Sequence, residues 1–551
     1  MTTPTHPHSQ PLDALGDNYD AIVVGSGYGG GVSASRLARM GLKVAVLERG
    51  KAYPTGSFPS RFPEVRGELM VSGGRFGRAG KPGLYDFRYG NDIHVLVGCG
   101  LGGGSLINAG VSLRPDARVF ADAAFPGEVG GDGSLDEGYA RAQAWIRPAR
   151  DPDAHSLTKS RALQAAGSVL GRAPVAAPVA VSFTAGTNPA GLAQPACTRC
   201  GDCCGGCNVG AKNTVAMSYL PDAVAHGAEL FTGASVQHVE KSHGRWQVHV
   251  APTGKPDAQS RPLTADIVIL AAGTLGSTEL LLRSREQGLA LSPRLGHRFS
   301  ANGDIIAFAY NARDRVHAIG IGHPAKPGLD PVGAAVTSEI EIDDPDELSH
   351  SMYVQEGVLP SALGPLLPVL FVPGGKIIGA AQALIRGVYE GPLSRTHTFF
   401  VVSHDDAMGQ IVLENGQATV SWPEVNDQPV FSRVDAALQK LAAARGASYV
   451  KNPLSESLMG RKPATAHPLG GCGLGRDRTS GVTDHMGRVF DGDPSAPATA
   501  VHDGLYVSDG SVVPRSLGVN PLLTITALTE RMLMHFAEAR QLRYDVAPRA
   551  G

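Results

Sequence analysis

Apolar residues in this chain gather into short runs that end at glycine or at an acid, and these runs alternate with stretches of helical spacing. Asp20-Ala-Ile-Val-Val-Gly25 is a run of strand type, and Val32 to Met40 follows it with Leu37 and Ala38 at helical spacing until Gly41 stops the helix. Lys43-Val-Ala-Val-Leu47 is a second strand, ending at Glu48. Asp266-Ile-Val-Ile-Leu-Ala-Ala-Gly273 reads as a buried strand entering a helix that begins Ser277-Thr-Glu, and Gly504-Leu-Tyr-Val-Ser-Asp509-Gly510 as a strand closing on an Asp–Gly turn. This alternation predicts an α/β fold. Ala301–Tyr310, Ser351–Glu356, Thr398–Ser403 and Gln410–Leu413 are expected to form a mainly antiparallel sheet, covered by helices, in a second domain.

A chain of 551 residues is too long for one core, so two interleaved domains are expected. Hydrophobic residues make up 42% and charged residues 18%, which excludes a disordered chain. The formal charge of -2 gives no electrostatic case for nucleic acid. No apolar run is long enough to span a bilayer. Met1 to Asp17 is polar, with no apolar signal-type core, so a cytoplasmic location is expected, with peripheral membrane contact allowed for. Cysteines in that compartment are reduced or metal-bound sooner than paired.

The 70 glycines change the picture because they cluster. Gly25-Ser-Gly27-Tyr28-Gly29-Gly30 stands between a strand and a helix, and Glu48 closes the next strand 18 residues after Gly30. Gly25 permits the tight turn, Gly27 lets backbone approach a pyrophosphate, and Gly30 lets helix and sheet pack closely. The helix N-terminus offers free N–H groups to phosphate, and Glu48 suits ribose hydroxyls. A second glycine-rich loop, Gly98-Cys-Gly-Leu-Gly102-Gly103-Gly104-Ser105-Leu-Ile-Asn108, has no use in a single NAD-binding fold. With Gly273, Asp509 and Gly510 it fits a cofactor as long as FAD, and Asp509 is expected to meet the ribityl or pyrophosphate end.

Together, Gly-Gly-Gly-Ser-Leu-Ile-Asn108, Leu275-Gly-Ser-Thr-Glu-Leu-Leu, His467-Pro-Leu-Gly-Gly-Cys472 and Val519-Asn-Pro-Leu-Leu-Thr-Ile-Thr-Ala-Leu-Thr-Glu-Arg531 resemble the glucose-methanol-choline (GMC) oxidoreductase family. The resemblance spans residues 18–50, 95–128, 209–310 and 462–540, more weakly 350–425. It implies a discontinuous Rossmann-type FAD domain built from 18–50, 98–128, 209–300 and 462–545. Residues 51–97 would be a lid facing the substrate, 129–208 a substrate-side segment with a cysteine cluster, and 301–461 the substrate domain. The implied cofactor contacts are Gly25, Gly27, Tyr28, Gly29, Gly30, Glu48, Gly102, Gly103, Gly104, Ser105, Asn108, Val236, Gly273, Asp509, Gly510, Asn520 and Pro521, holding FAD non-covalently. Asn520 stands where general members carry a second histidine, which tilts the resemblance toward the cholesterol-oxidase branch.

Oxidising an alcohol by hydride transfer needs a group to take the hydroxyl proton, and a histidine titrates in the right range. His467 is that group, with Pro468 fixing an extended backbone before Gly470-Gly471, and Asn520 before Pro521 can hold the substrate oxygen or the flavin edge. The sterol branch implies a third group, a carboxylate that moves a proton from C4 to C6 of a Δ5-sterol. Glu356 is the candidate, as an acid among apolar neighbours whose charged form burial disfavours; a solvated acid is the alternative. The expected substrate is a small hydrophobic alcohol, a 3β-hydroxysteroid first, with dioxygen or another electron acceptor, a quinone or a protein. Pro365 to Pro373 is apolar and too short to span a membrane, and reads either as a buried loop or as a lip for transient membrane contact.

Cys197, Cys200, Cys203 and Cys207 follow the C-x2-C-x2-C-x3-C spacing of bacterial ferredoxins, with Asn208 where proline is usual. An iron–sulfur cluster there would need Cys207 to fold back, or a remote thiol. A zinc site and inert buried thiols are the other readings.

Overall fold

The computed structural model describes residues 9–73, 82–255, 258–370, 387–452 and 462–549. Its first unit is a βαβ turn. Strand β1 (Asn18–Val24) leads through Gly25–Gly27 into helix α1 (Tyr28–Arg39), and β2 (Val44–Glu48) returns parallel to β1 with Ala21 opposite Val44. The helix starts at Tyr28, earlier than the apolar pattern alone suggests, because Gly27 is extended and the chain turns helical directly after it. β1 and β2 are buried almost throughout, which explains their unbroken apolar runs.

Distant segments complete the same sheet. β3 (Glu229–Thr232) lies parallel to β2, β6 (Arg261–Leu270) parallel to β1, and β12 (Val501–Val507) parallel to the end of β6. β4 (Ala234–Ser242) and β5 (Arg245–Pro252) form an antiparallel extension off the first half of β6. Helix α4 (Gly273–Glu286) leaves the end of β6, and α6 (Leu522–Ala539) packs against α1. A buried ion pair, Arg36 to Glu530 at 2.6 Å, locks α1 to α6, with both side chains fully removed from water.

The second sheet has six strands among the described residues. Its order runs β11 (Ser448–Lys451), β7 (Ile305–Tyr310), β10 (His397–Ser403), β9 (Met352–Gly357), β8 (Ser338–Ile342) and Val175–Ala176, all antiparallel. Helices α2 (Thr158–Gly167) and α5 (Pro429–Ala444) cover one face through Leu163, Val434 and Leu438, which meet Ile340, Val354 and Val401. One expected strand is elsewhere: Gln410–Glu414 pairs only with Gln417–Ser421. Asn415-Gly416, both at positive φ, turns it back into a separate hairpin. Of the apolar segment expected as a lip, Pro365 to Pro373, residues 371–373 lie outside the described residues. No helix among the described residues is long and apolar enough to cross a membrane.

Candidate active site

The nucleotide cradle forms where β1 meets α1. A Cβ on Gly29 would lie 1.5 Å from the Ser508 carbonyl oxygen, and one on Gly30 2.0 Å from that of Gly25, so these glycines let helix and strands touch. A Cβ on Gly27 would meet nothing within 4 Å, nor would one on Gly104. Both therefore border open space, into which the uncapped N–H groups of α1 are free to donate. The second loop closes over this space: Gly102 N–H donates to Ser26 Oγ at 2.9 Å, Ser105 Oγ to the Gly102 carbonyl, and Asn108 Nδ2 to the Tyr28 hydroxyl at 2.8 Å. Gly103 packs so closely on Gly27 that its Cβ would lie 2.8 Å from the Gly27 Cα. The Asn108 Oδ1 is buried with no hydrogen-bond partner among the described residues. An open cradle, a helix N-terminus and an unused amide oxygen fit a phosphate-bearing cofactor with a polar ring edge.

Glu48 ends β2 beside the cradle, where its carboxylate accepts from Ser26 Oγ at 2.5 Å and from Gly50 N–H at 2.8 Å. Burial raises its carboxyl above the ordinary range, and these donors work against that rise. Val236 is buried on β4 at a bulge, and the chain just before it is tied to Glu48's neighbourhood by Gly233 N–H donating to the Gly50 carbonyl at 3.1 Å. Asp509 differs from expectation. Its carboxylate accepts from Gly273 N–H at 2.9 Å, from Ser277 Oγ and from Ser511, so it fastens the start of α4 to the end of β12 and its oxygens are already engaged.

That clamp brings the histidine motif to the cradle. Gly470 N–H donates to the Gly510 carbonyl at 3.0 Å, and Thr274 Oγ1 to the Pro468 carbonyl at 2.6 Å. The His467 Nδ1 pairs with Asp304 Oδ1 at 2.8 Å. Asp304 Oδ2 also accepts from Thr465 Oγ1 and from the N–H groups of Ala466 and His467, which fixes the backbone that carries the ring. Two residues before Asp304, Asn302 donates to the Val519 carbonyl at 2.9 Å and accepts from the N–H groups of Leu517 and Gly518. One short turn, with Asn302 and Gly303 both at positive φ, thus holds His467 on one side and the Asn520 loop on the other. Pro521 sits at the N-cap of α6, directly after Asn520.

Asn520 is buried, and its Oδ1 accepts from Gln355 Nε2 at 2.7 Å, which also donates to Glu339 Oε2 at 3.1 Å. Glu339 is 1% exposed, and its carboxyl is pushed up to about 7, chiefly by burial. Glu356 is not part of this set. Alternate residues of a strand face opposite sides, so when Gln355 meets Asn520, Glu356 turns with Met352 and Val354 toward the helices. There it is fully buried, against the solvated alternative; its Oε1 pairs with Lys159 at 3.0 Å and accepts from Ser160 Oγ at 2.7 Å, while Oε2 has no hydrogen-bond partner among the described residues.

Asp304, Asn302, Gln355 and Glu339 are absent from any sequence motif. Gln355 and Glu339 had one available signal, a polar alternation inside otherwise apolar strands.

The GMC oxidoreductase family model matches residues 19–301, and its C-terminal counterpart matches 431–529. The chain belongs to the GMC oxidoreductase family. As such it is an FAD-dependent enzyme that acts on CH–OH donors. This GMC oxidoreductase is 30% identical to a cholesterol oxidase of Mycobacterium tuberculosis, over 93% of this chain and 90% of that protein. It is 24% identical to a long-chain-alcohol oxidase of Arabidopsis thaliana, over 92% of this chain and 65% of that one. Its fold is shared with a fungal aryl-alcohol oxidase, at a TM-score of 0.58 and 16% identity, over 95% of this chain and 100% of that structure.

Proposed function

We propose that this oxidoreductase oxidises a hydrophobic secondary alcohol, a 3β-hydroxysteroid, using non-covalently held FAD. The observation that carries the reading is the turn 302–304, which ties the acid–base histidine and the Asn520 loop into one unit. FAD, when bound along Gly27, Glu48, Gly104 and Asn108, supplies the hydride acceptor. His467 donates Nδ1–H to Asp304, so Nε2 is the nitrogen left to accept the hydroxyl proton, and the Asp304 carboxylate stabilises the imidazolium that results. Asn520 receives a hydrogen bond on Oδ1 from Gln355, which leaves its Nδ2 hydrogens to hold the substrate oxygen.

The second chemistry, moving the steroid double bond into conjugation, needs a carboxyl that exchanges protons near neutrality. Glu339 has that property, because burial places its carboxyl at about 7, and it lies on the same sheet face as Gln355, hydrogen-bonded to it. Similarity to a cholesterol oxidase supports the sterol reading, and similarity to a long-chain-alcohol oxidase supports a linear lipophilic alcohol as the second reading. Anaerobic mixing of the holoenzyme with cholesterol and with a long-chain primary alcohol separates them. Bleaching of the flavin absorbance by cholesterol, with a conjugated enone as product, is the expected result; bleaching by the linear alcohol alone overturns the sterol reading.

A further inference from the structure

Five of the chain's seven cysteines take no part in the chemistry above, lying between Cys197 and Cys207. All are free thiols. Four of them, Cys197, Cys200, Cys203 and Cys207, line one small cavity together with Asp202 and Lys212. Cys204 does not line it. The chain is wound round the cavity by left-handed residues between the cysteines, Arg199 at φ 57°, Gly201 at 79° and Gly206 at 97°. Gly206 is the decisive one. Its backbone passes so close to Phe58 that a Cβ would lie 2.1 Å from the ring, and this passage returns Cys207 to the cavity that the first three thiols line. Asn208, standing where ferredoxin-type runs carry proline, fixes the return by accepting from Phe58 N–H at 2.8 Å and donating to the Phe58 carbonyl at 3.1 Å.

A second observation concerns charge. Lys212 is 2% exposed, and among the described residues its ammonium donates only to the carbonyl oxygens of Leu106, Asn108 and Cys203. Among the described residues no carboxylate lies within ion-pair distance of it. A buried cation with no counter-charge is strongly unfavourable. Four metal-bound thiolates on one side of it would supply the missing negative charge. Backbone N–H groups already point at two of the sulfurs, from Arg199 to Cys197 at 3.3 Å and from Ala335 to Cys203 at 3.4 Å, the kind of hydrogen bond that supports cluster sulfurs.

The C-x2-C-x2-C-x3-C order of the thiols along the chain is the one bacterial ferredoxins use for iron–sulfur clusters. A tetrahedral zinc site holds its sulfurs about 3.8 Å apart, from zinc–sulfur bonds near 2.3 Å. Among the described residues no three of these thiols lie within 4.8 Å of one another, a separation that His238, Glu240 and His249 do meet elsewhere. A cuboidal cluster holds thiolates further apart, because each binds a different iron. We propose that Cys197, Cys200, Cys203 and Cys207 bind a single iron–sulfur cluster, giving the protein a one-electron redox centre beside its two-electron cofactor. Lys212 links this centre to the cofactor loop, since it bonds the carbonyls of Leu106 and Asn108 as well as that of Cys203.

The proposal does not depend on the substrate reading, and it is tested on the holoprotein purified without oxygen. The expected result is about four iron atoms and four acid-labile sulfides per chain, with a dithionite-induced electron paramagnetic resonance signal. Cys203→Ser should lower iron and sulfide together while FAD content stays, and Cys204→Ser, one residue away but off the cavity, should keep both. Flavin content and circular dichroism of each variant separate cluster loss from misfolding. Iron at background in the anaerobic wild type, a stoichiometric zinc atom in its place, or equal iron loss from the Cys203 and Cys204 variants with folding intact would each overturn the proposal.

Discussion

Gln355 donates to the carboxamide oxygen of Asn520 at 2.7 Å, and so decides which end of that amide faces the substrate. Replacing it with an apolar residue of similar size leaves Asn520 free to turn over and strips Glu339 of its donor. Gln355→Leu is expected to keep FAD and to lower kcat about ten- to a hundredfold, the scale of a lost orienting contact. Steady-state kinetics with flavin quantification checks it, and an unchanged kcat removes Gln355 from the positioning of Asn520.

The His467–Asp304 pair makes a prediction about tautomers. Asp304→Asn offers His467 an amide in place of a carboxylate, which no longer stabilises the imidazolium. Flavin reduction by alcohol should slow by a factor of roughly a hundred to ten thousand, as should His467→Gln. Stopped-flow measurement of the reductive half-reaction decides between that outcome and a merely structural histidine, which would leave the rate intact.

Two carboxylates on β8 and β9 should behave differently. With a Δ5-sterol, Glu339→Gln is expected to release the unconjugated ketone while oxidation continues, because its carboxyl is hydrogen-bonded to Gln355, which holds Asn520. Glu356→Gln should leave the product unchanged and lower stability by about 3 kcal/mol, since it strands the buried Lys159. Product chromatography and thermal melts distinguish the pair; unconjugated ketone from the Glu356 variant would reverse the assignment.

Glu339 also sets a pH dependence. Its carboxyl stands at about 7 in the folded chain, with Arg150 lowering it and Glu341 raising it beside the dominant effect of burial. The unfolded value is about 4.3, so between those values the folded chain holds the proton more tightly and its stability falls as pH rises. Glu339→Gln lacks this dependence. Relative to wild type it should gain about 1–3 kcal/mol between pH 5 and pH 8, measured by denaturant unfolding at each pH. A constant difference across that window would show that Glu339 titrates normally.

The glycines of the cradle divide by what an added methyl would meet. Gly27→Ala enters open space at φ -69°, so the fold should stay intact while FAD affinity drops. Gly29→Ala would drive Cβ into the Ser508 carbonyl and should unfold the protein at lower temperature whether or not FAD is present. Flavin fluorescence on dialysis, set against melting curves of both variants, reads the two effects separately. Full FAD retention by Gly27→Ala would move the cofactor elsewhere.

The βαβ unit was legible because local rules suffice there: unbroken apolar strands, glycines at fixed offsets and an acid at the strand end. His467 and Asn520 were legible as motif positions. Their partners were not, because Asp304 lies 163 residues before His467 and Gln355 lies 165 before Asn520, and no periodicity reports a contact over that distance. Glu356 shows a different limit of sequence reading. Adjacent residues of a strand look equivalent in sequence, yet the period of the strand sends Gln355 to one side and Glu356 to the other. The Gln410 strand failed for a related reason, since its Asn-Gly turn was stronger than any pairing with the sheet.

The turn at 302–304 couples the two halves of the centre. Strand β7 starts at Ile305, immediately after the residues that grip the His467 and Asn520 loops. The reacting groups are therefore fixed at the root of the second sheet, whose neighbouring strands bring Gln355 and Glu339 to the same network. A change in the first residues of β7 therefore reaches both halves of the centre at once, His467 through Asp304 and the Asn520 loop through Asn302.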